Sequence, residues 1–181
     1  YSRRSFSSDV RTMRVRICMI LWVFVTAFAT YTATTLLGYV IHWALHQRWS
    51  GPLRKSHMAH HLVHYPPRDL VSDSYRSAGK DSAVYTFLLA FSPLLLLPIV
   101  LWLVGWVSLP VAVAAFFSMA LVGLMNDIIH DSFHVRDHWL SRVYPGYESL
   151  RIGHFVHHRN MKRNFGIYSF AWDRVFRTFR R

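Results

Sequence analysis

Hydrophobic and polar positions along this chain fall into long blocks rather than a short alternation. The run from Ile17 to Ile41 contains no charged residue and exceeds the roughly 20 residues that a helix needs to cross about 30 Å of hydrocarbon. It predicts a transmembrane helix. Thr26, Thr30, Thr32, Thr34 and Thr35 at its centre are compatible with this, because a hydroxyl can bond back to a carbonyl one turn earlier. The helix is predicted to continue out of the lipid to His42 and His46, with Trp43 and Trp49 at the headgroup level. Residues 47–82 are polar and carry the turn signals Ser50-Gly51-Pro52 and Pro66-Pro67-Arg68-Asp69, so they form the first cytosolic excursion. Between those turns Leu53 to His64 reads as a helix, with His57, His60, His61 and His64 at i, i+3, i+4 and i+7 on one face. A second apolar run over 83–104 and a third from Pro110 to Met125 are joined by Gly105-Trp106-Val107-Ser108-Leu109 and predict a tight transmembrane hairpin. Pro93 and Pro98 should kink its first helix, whereas Pro110 stands at a helix start, where a missing amide costs least. The third helix is predicted to run on into His130 and His134. From Arg136 onward short helices without a further membrane span are expected. The fold class is therefore all-α, an integral membrane protein with three or more transmembrane helices extending into a cytosolic histidine-rich helical cap.

Charge sets the orientation. The chain has 181 residues, 52% of them hydrophobic, and 21 Lys and Arg against 9 acids, a net charge of +12. In a soluble protein that excess would suggest nucleic acid; flanking apolar runs, it points to anionic lipid headgroups, and no nucleic-acid partner is expected. Six Lys and Arg lie in 48–80 and ten from 136 onward, with none in the hairpin loop. Both histidine-bearing regions are thus expected on the cytoplasmic side, of a bacterial inner membrane or endoplasmic reticulum. Five arginines, Arg3, Arg4, Arg11, Arg14 and Arg16, precede the first run and conflict with a single crossing there. Either residues 1–16 form a basic segment along the membrane surface or a further helix precedes them. Residues 17–181 read as a single membrane-embedded domain. The lone cysteine, Cys18, lies within the first apolar run and provides neither an intrachain disulfide nor a thiolate cluster.

All twelve histidines fall in two blocks, 42–64 and 130–158. Packing alone would not segregate them so. Each block repeats two patterns: His42-x-x-x-His46 then His57-x-x-His60-His61, and His130-x-x-x-His134 then His154-x-x-His157-His158. On a helix these spacings bring imidazoles together on one face, able to hold one metal or bridge two. Ten donors are too many for one ion with a shell of four to six, and suit two. An imidazole-rich set favours iron, zinc or copper over magnesium or calcium. Asp127 and Asp131, flanking His130, are candidate acceptors for the outer N–H of a ligating imidazole. His64 and His138 are candidates for the same supporting role.

Other metal and hydrolytic chemistries fail on residue types. A zincin needs His-Glu-x-x-His, but the only glutamate is Glu148, outside every histidine pattern. A ferritin-like site needs four glutamates. Membrane haem ligation or metal transport would place ligands inside the apolar runs, where no histidine stands. No nucleophile elbow supports a serine hydrolase.

The four boxes, with Asn164-Phe165-Gly166 and Trp172-Asp173-Arg174-Val175-Phe176 near the end, resemble the fatty acid hydroxylase and sterol desaturase superfamily over roughly residues 38–178. The third box resembles fatty acid 2-hydroxylases and carotenoid hydroxylases; the first two resemble the sterol branch, which often has glycine where Arg177 stands. The resemblance implies a membrane di-iron oxygenase. His42, His46, His57, His60, His61, His130, His134, His154, His157 and His158 would be ligands to two iron ions, replaceable by zinc in purified protein. O2 would be co-substrate, and the substrate a lipid such as a fatty acyl chain, sterol or carotenoid, hydroxylated or desaturated at a C–H bond. No Gly-rich dinucleotide fingerprint occurs, so electrons would come from a separate donor such as cytochrome b5 or ferredoxin with its reductase. The competing classes are a non-catalytic membrane metal-binding protein and a zinc-dependent lipid hydrolase.

Overall fold

The computed structural model describes residues 2–71 and 86–181, with side chains from Thr12 onward other than Thr86 and Leu89. The end of the expected polar excursion and the first residues of the second apolar run, 72–85, lie outside the described residues. Among those described, every regular element is helical.

Helix α1, Ser2–Leu45, spans 44 residues, or about 66 Å at 1.5 Å per residue. It is one continuous helix through the boundary drawn at residue 16. Three of its five central threonines bond back: Thr32 donates to Phe28 O at 2.9 Å, Thr34 to Thr30 O at 2.7 Å and Thr35 to Thr32 O at 2.8 Å. A 3-10 turn, Arg48–Ser50, leads into α2, Gly51–Ala59, with a proline in its first turn. The helix predicted to continue to His64 instead widens at His60–His64 into a π-helical turn, which Tyr65 N closes on His60 O at 2.9 Å. That wider turn removes His64 from the face it would have shared with His57 and His61.

Helix α3, Thr86–Leu103, contains Pro93 and Pro98, and α4, Leu109–Ser132, has a proline in its first turn. α4 packs against both α1 and α3. At the α3–α4 crossing a Cβ on Gly123 would come within 2.9 Å of the Phe91 ring, so glycine sets that spacing. Three short helices follow: α5 (Leu140–Val143), α6 (Tyr147–Arg159) and α7 (Ala171–Val175). Phe87, Phe91, Val122, Ile129, Phe133, Leu140, Tyr147 and Ile167 form the buried core. Tyr147 ties α6 to the end of α4 by donating to Ser132 O at 2.7 Å.

Among the described residues two helices are long and apolar enough to cross a membrane, through Thr12–Leu45 and Leu109–Ser132; in α3 the apolar stretch Ala90–Leu103 is shorter. Trp22, Phe24 and Phe28 on α1 and Phe117 and Leu121 on α4 are 58–72% exposed. Such a girdle of large apolar side chains suits lipid and not water.

Candidate metal centre

Helical geometry divides each His-x-x-His-His box. At 100° per residue, the first and last histidines lie about 40° apart, while the middle one lies about 60° to the other side. The structure follows that division. Nitrogens of His42, His46, His57, His61 and His157 converge in a first cluster, and those of His60, His134, His154 and His158 in a second, all within 4.8 Å of one another in each. The first cluster thus takes the i, i+4 pairs of boxes one and two, plus the middle histidine of box four. The second takes the i, i+4 pair of box four, the last histidine of box three and the middle histidine of box two. The two halves of the chain exchange one imidazole each.

Within the first cluster His46 Nε2 lies 3.0 Å from both His157 Nε2 and His57 Nε2, and His57 Nε2 lies 3.1 Å from His61 Nε2. In the second, His154 Nε2 lies 3.1 Å from His134 Nε2 and 3.0 Å from His158 Nε2. His130, expected among the ligands, belongs to neither group. Its ring stacks on His60 with centroids 4.5 Å apart and meets His154 edge-on at 4.7 Å, and its buried Nε2 has no hydrogen-bond partner.

The residues expected to support the ligands are placed differently. Asp127 accepts Phe87 N and Leu88 N, both at 2.9 Å, and so caps the first turn of α3, whose amides have no partner within the helix. The Asp131 carboxylate is 3.9 Å from His130 Nδ1, too long for a hydrogen bond. His138 Nδ1 accepts Leu140 N at 3.3 Å at the start of α5, and His64 lies outside both clusters. Backbone carbonyls take the supporting role instead. His42 Nδ1 donates to Phe165 O at 2.7 Å, His157 Nδ1 to Arg163 O at 2.6 Å and His158 Nδ1 to Tyr65 O at 3.0 Å. The Tyr65 ring stacks on His134 with centroids 4.0 Å apart. Asn164-Phe165-Gly166 stood out in the sequence, but nothing there marked which carbonyls would meet a histidine. Tyr65 carried no signal at all.

These carbonyls settle the tautomers. A carbonyl only accepts, so the proton sits on Nδ1 and the inward Nε2 of His42, His157 and His158 is a bare lone pair. His42 Nε2 and His60 Nε2 are buried without a hydrogen-bond partner. His46 Nε2 faces two nitrogens with at most one proton to share, so hydrogen bonding cannot satisfy the cluster. A cation at its centre can. The 3.0–3.1 Å separations equal those of adjacent ligands at right angles around an ion at about 2.1 Å, whereas a tetrahedral shell would spread them to about 3.4 Å. Burial also keeps the rings neutral. It lowers His46 and His158 to about 3, with neighbouring imidazoles adding to the shift at His46. His57, His60, His61, His134, His154 and His157 are held well below the usual histidine range by burial first and by one another second. Among the described residues no carboxylate joins either cluster.

A model of the family described as Fatty acid hydroxylase matches residues 24–178, which takes in all four boxes and the segment supplying the Arg163 and Phe165 carbonyls. No curated protein and no solved structure gives a match. With buried clusters compatible with metal binding and a family match over most of its length, the chain belongs to the fatty acid hydroxylase family.

Proposed function

We propose that the protein is a membrane-bound, O2-dependent lipid hydroxylase or desaturase with a pair of iron ions at the two clusters. The observation that carries this reading is the convergence of nine neutral imidazoles in two adjoining groups, where the ends of two apolar helices meet two short polar ones. His42, His46, His57, His61 and His157 are assigned to one ion and His60, His134, His154 and His158 to the other, with His130 between them. Iron held there supplies the activation of O2 for attack on an unactivated C–H bond. The chain's own part is positioning and exclusion. Neutral donors add no negative charge, and five imidazoles in one group and four in the other would each leave at least one position open in a six-position shell. The buried rings keep bulk water out.

α1 and α4 lead from apolar spans straight into the boxes. An acyl chain or ring system can therefore reach the clusters while its apolar end stays in lipid. We assign α3 as a third span, place the histidine cap, Ser50 and the carboxyl-terminal tail on the cytoplasmic side, and expect electrons from a separate donor protein. Mass spectrometry of total lipids from cells with and without the protein tests the reading. A lipid gaining one oxygen or losing two hydrogens only with the active protein supports it. Identical lipid profiles under aerobic growth with iron present would overturn it.

A further inference from the structure

Two of the carbonyls that fix tautomers, Arg163 O and Phe165 O, come from one short segment, and both serve the first cluster. That segment is held by residues that belong to neither cluster. Asp173 Oδ1 accepts Phe165 N and the Thr178 hydroxyl, each at 2.7 Å, and Oδ2 accepts Gly166 N at 2.7 Å. Gly166 has no space for a side chain: a Cβ would collide with Ser169 O and lie 2.8 Å from Asp173 Oδ2. Asn164, in the left-handed region at φ 54°, donates to Gly153 O on α6 at 2.9 Å and to Arg180 O at 2.7 Å, and accepts Arg180 N at 2.7 Å. Asn164 and Asp173 are both fully buried. The carboxyl-terminal tail is thereby a strap that clamps residues 163–166, with their carbonyls facing His157 and His42. In the second cluster the corresponding bond, His158 to Tyr65 O, comes from the π-helical turn and is independent of the strap.

We infer that Asp173 and Asn164 are positioning residues that act mainly on one metal site: through the Phe165 and Arg163 carbonyls they set the tautomer and orientation of His42 and His157, whereas toward the second cluster they reach only the Gly153 carbonyl before His154. This rests on the two-site reading proposed above. A hydrogen bond behind a ligating imidazole is worth about 10–100-fold in metal affinity, so loss of the strap should split two sites that otherwise fill together.

The test is cobalt(II) titration of the detergent-solubilised full chain, followed by visible absorption and elemental analysis. Wild type should take up two equivalents; uptake of none would overturn the two-site reading and this inference with it. Asp173→Asn and Asn164→Gly should each keep one tight site and weaken the other about 10–100-fold. Glycine retains the left-handed backbone while deleting the amide. Thr178→Val removes one donor to Asp173 and should weaken the same site less, which covers the case in which Asp173→Asn fails to fold. Two backgrounds localise the effect. With His134→Ala, which disables the second cluster, Asp173→Asn should weaken the remaining site; with His46→Ala it should not. Two cobalt equivalents in wild type with equal weakening of both sites, or of neither, would contradict the inference and leave the two-site reading standing.

Discussion

His157, on the helix of the fourth box, places its Nε2 3.0 Å from His46 Nε2 of the first box, while its own box partners His154 and His158 face the other cluster. The exchange is reciprocal, since His60 of the second box sits with His134, His154 and His158. It predicts that His157→Ala and His60→Ala each lose about one of two bound ions, from different sites. His138→Ala should lose none, because that ring belongs to neither cluster and accepts Leu140 N at the start of α5. Elemental analysis of protein purified without chelators checks this. Two full equivalents retained by both ligand variants would contradict the assignment.

Asp127 supports a helix and not a ligand. Replacing it with alanine strands one buried and one half-buried N–H group, from which it accepts at 2.9 Å, at a cost of about 2 kcal/mol. The expected result is a lower unfolding midpoint with unchanged metal content. Loss of metal at unchanged stability would return Asp127 to the role expected from sequence.

The sequence made the helices and the boxes legible, because a charge-free apolar run and the i, i+4 spacing are local facts. Which box serves which cluster was not legible, since it depends on how four helix ends meet. The π-helical turn at His60–His64 was missed for a similar reason: an α-helix and a π turn share the same pattern until the turn is packed. Asp127 was read against its sequence neighbour His130, yet the amides it meets are about forty positions away. The supporting groups proved to be carbonyls, which carry no residue-type signature.

Acid should weaken both fold and site. The unfolded chain takes up protons on its histidines below about 6.5, whereas the folded His46 and His158 do so only near about 3. Protonation therefore favours the unfolded state as pH falls from about 6.5 toward 3, by at most about 1.4 kcal/mol per pH unit for each such histidine, with a plateau above. Metal retention should fall in the same window, since protons compete for the lone pairs. Unfolding midpoints at constant ionic strength from about pH 8 to about pH 5 check the sign. Stability that rises on acidification would contradict it.

Arg177 adopts a left-handed backbone at φ 58°, which costs a non-glycine residue about 1 kcal/mol. Its carbonyl, not its side chain, receives Arg163 at 2.9 Å. Arg177→Gly should thus raise the unfolding midpoint slightly and leave metal content unchanged. A lower midpoint would show that the guanidinium contributes more than the backbone strain removes.

Membrane orientation is checked by single cysteines at Ser50, Ser108 and Ser141 in a Cys18→Ala background. The proposed three-span arrangement has Ser50 and Ser141 labelled from one side and Ser108, in the turn after α3, from the other. Labelling of all three from one side would rule out α3 and α4 as a spanning hairpin.

The proposed activity is tested most directly by supplying reductant and 18-O2 to membranes containing the protein and following the lipids by mass spectrometry. The account predicts a long-chain lipid product that forms only with O2 and reductant, carrying one heavy oxygen atom if hydroxylated and lacking two hydrogens if desaturated, and absent with His57→Ala. A product whose oxygen comes from water, or that forms equally well without O2, would contradict it.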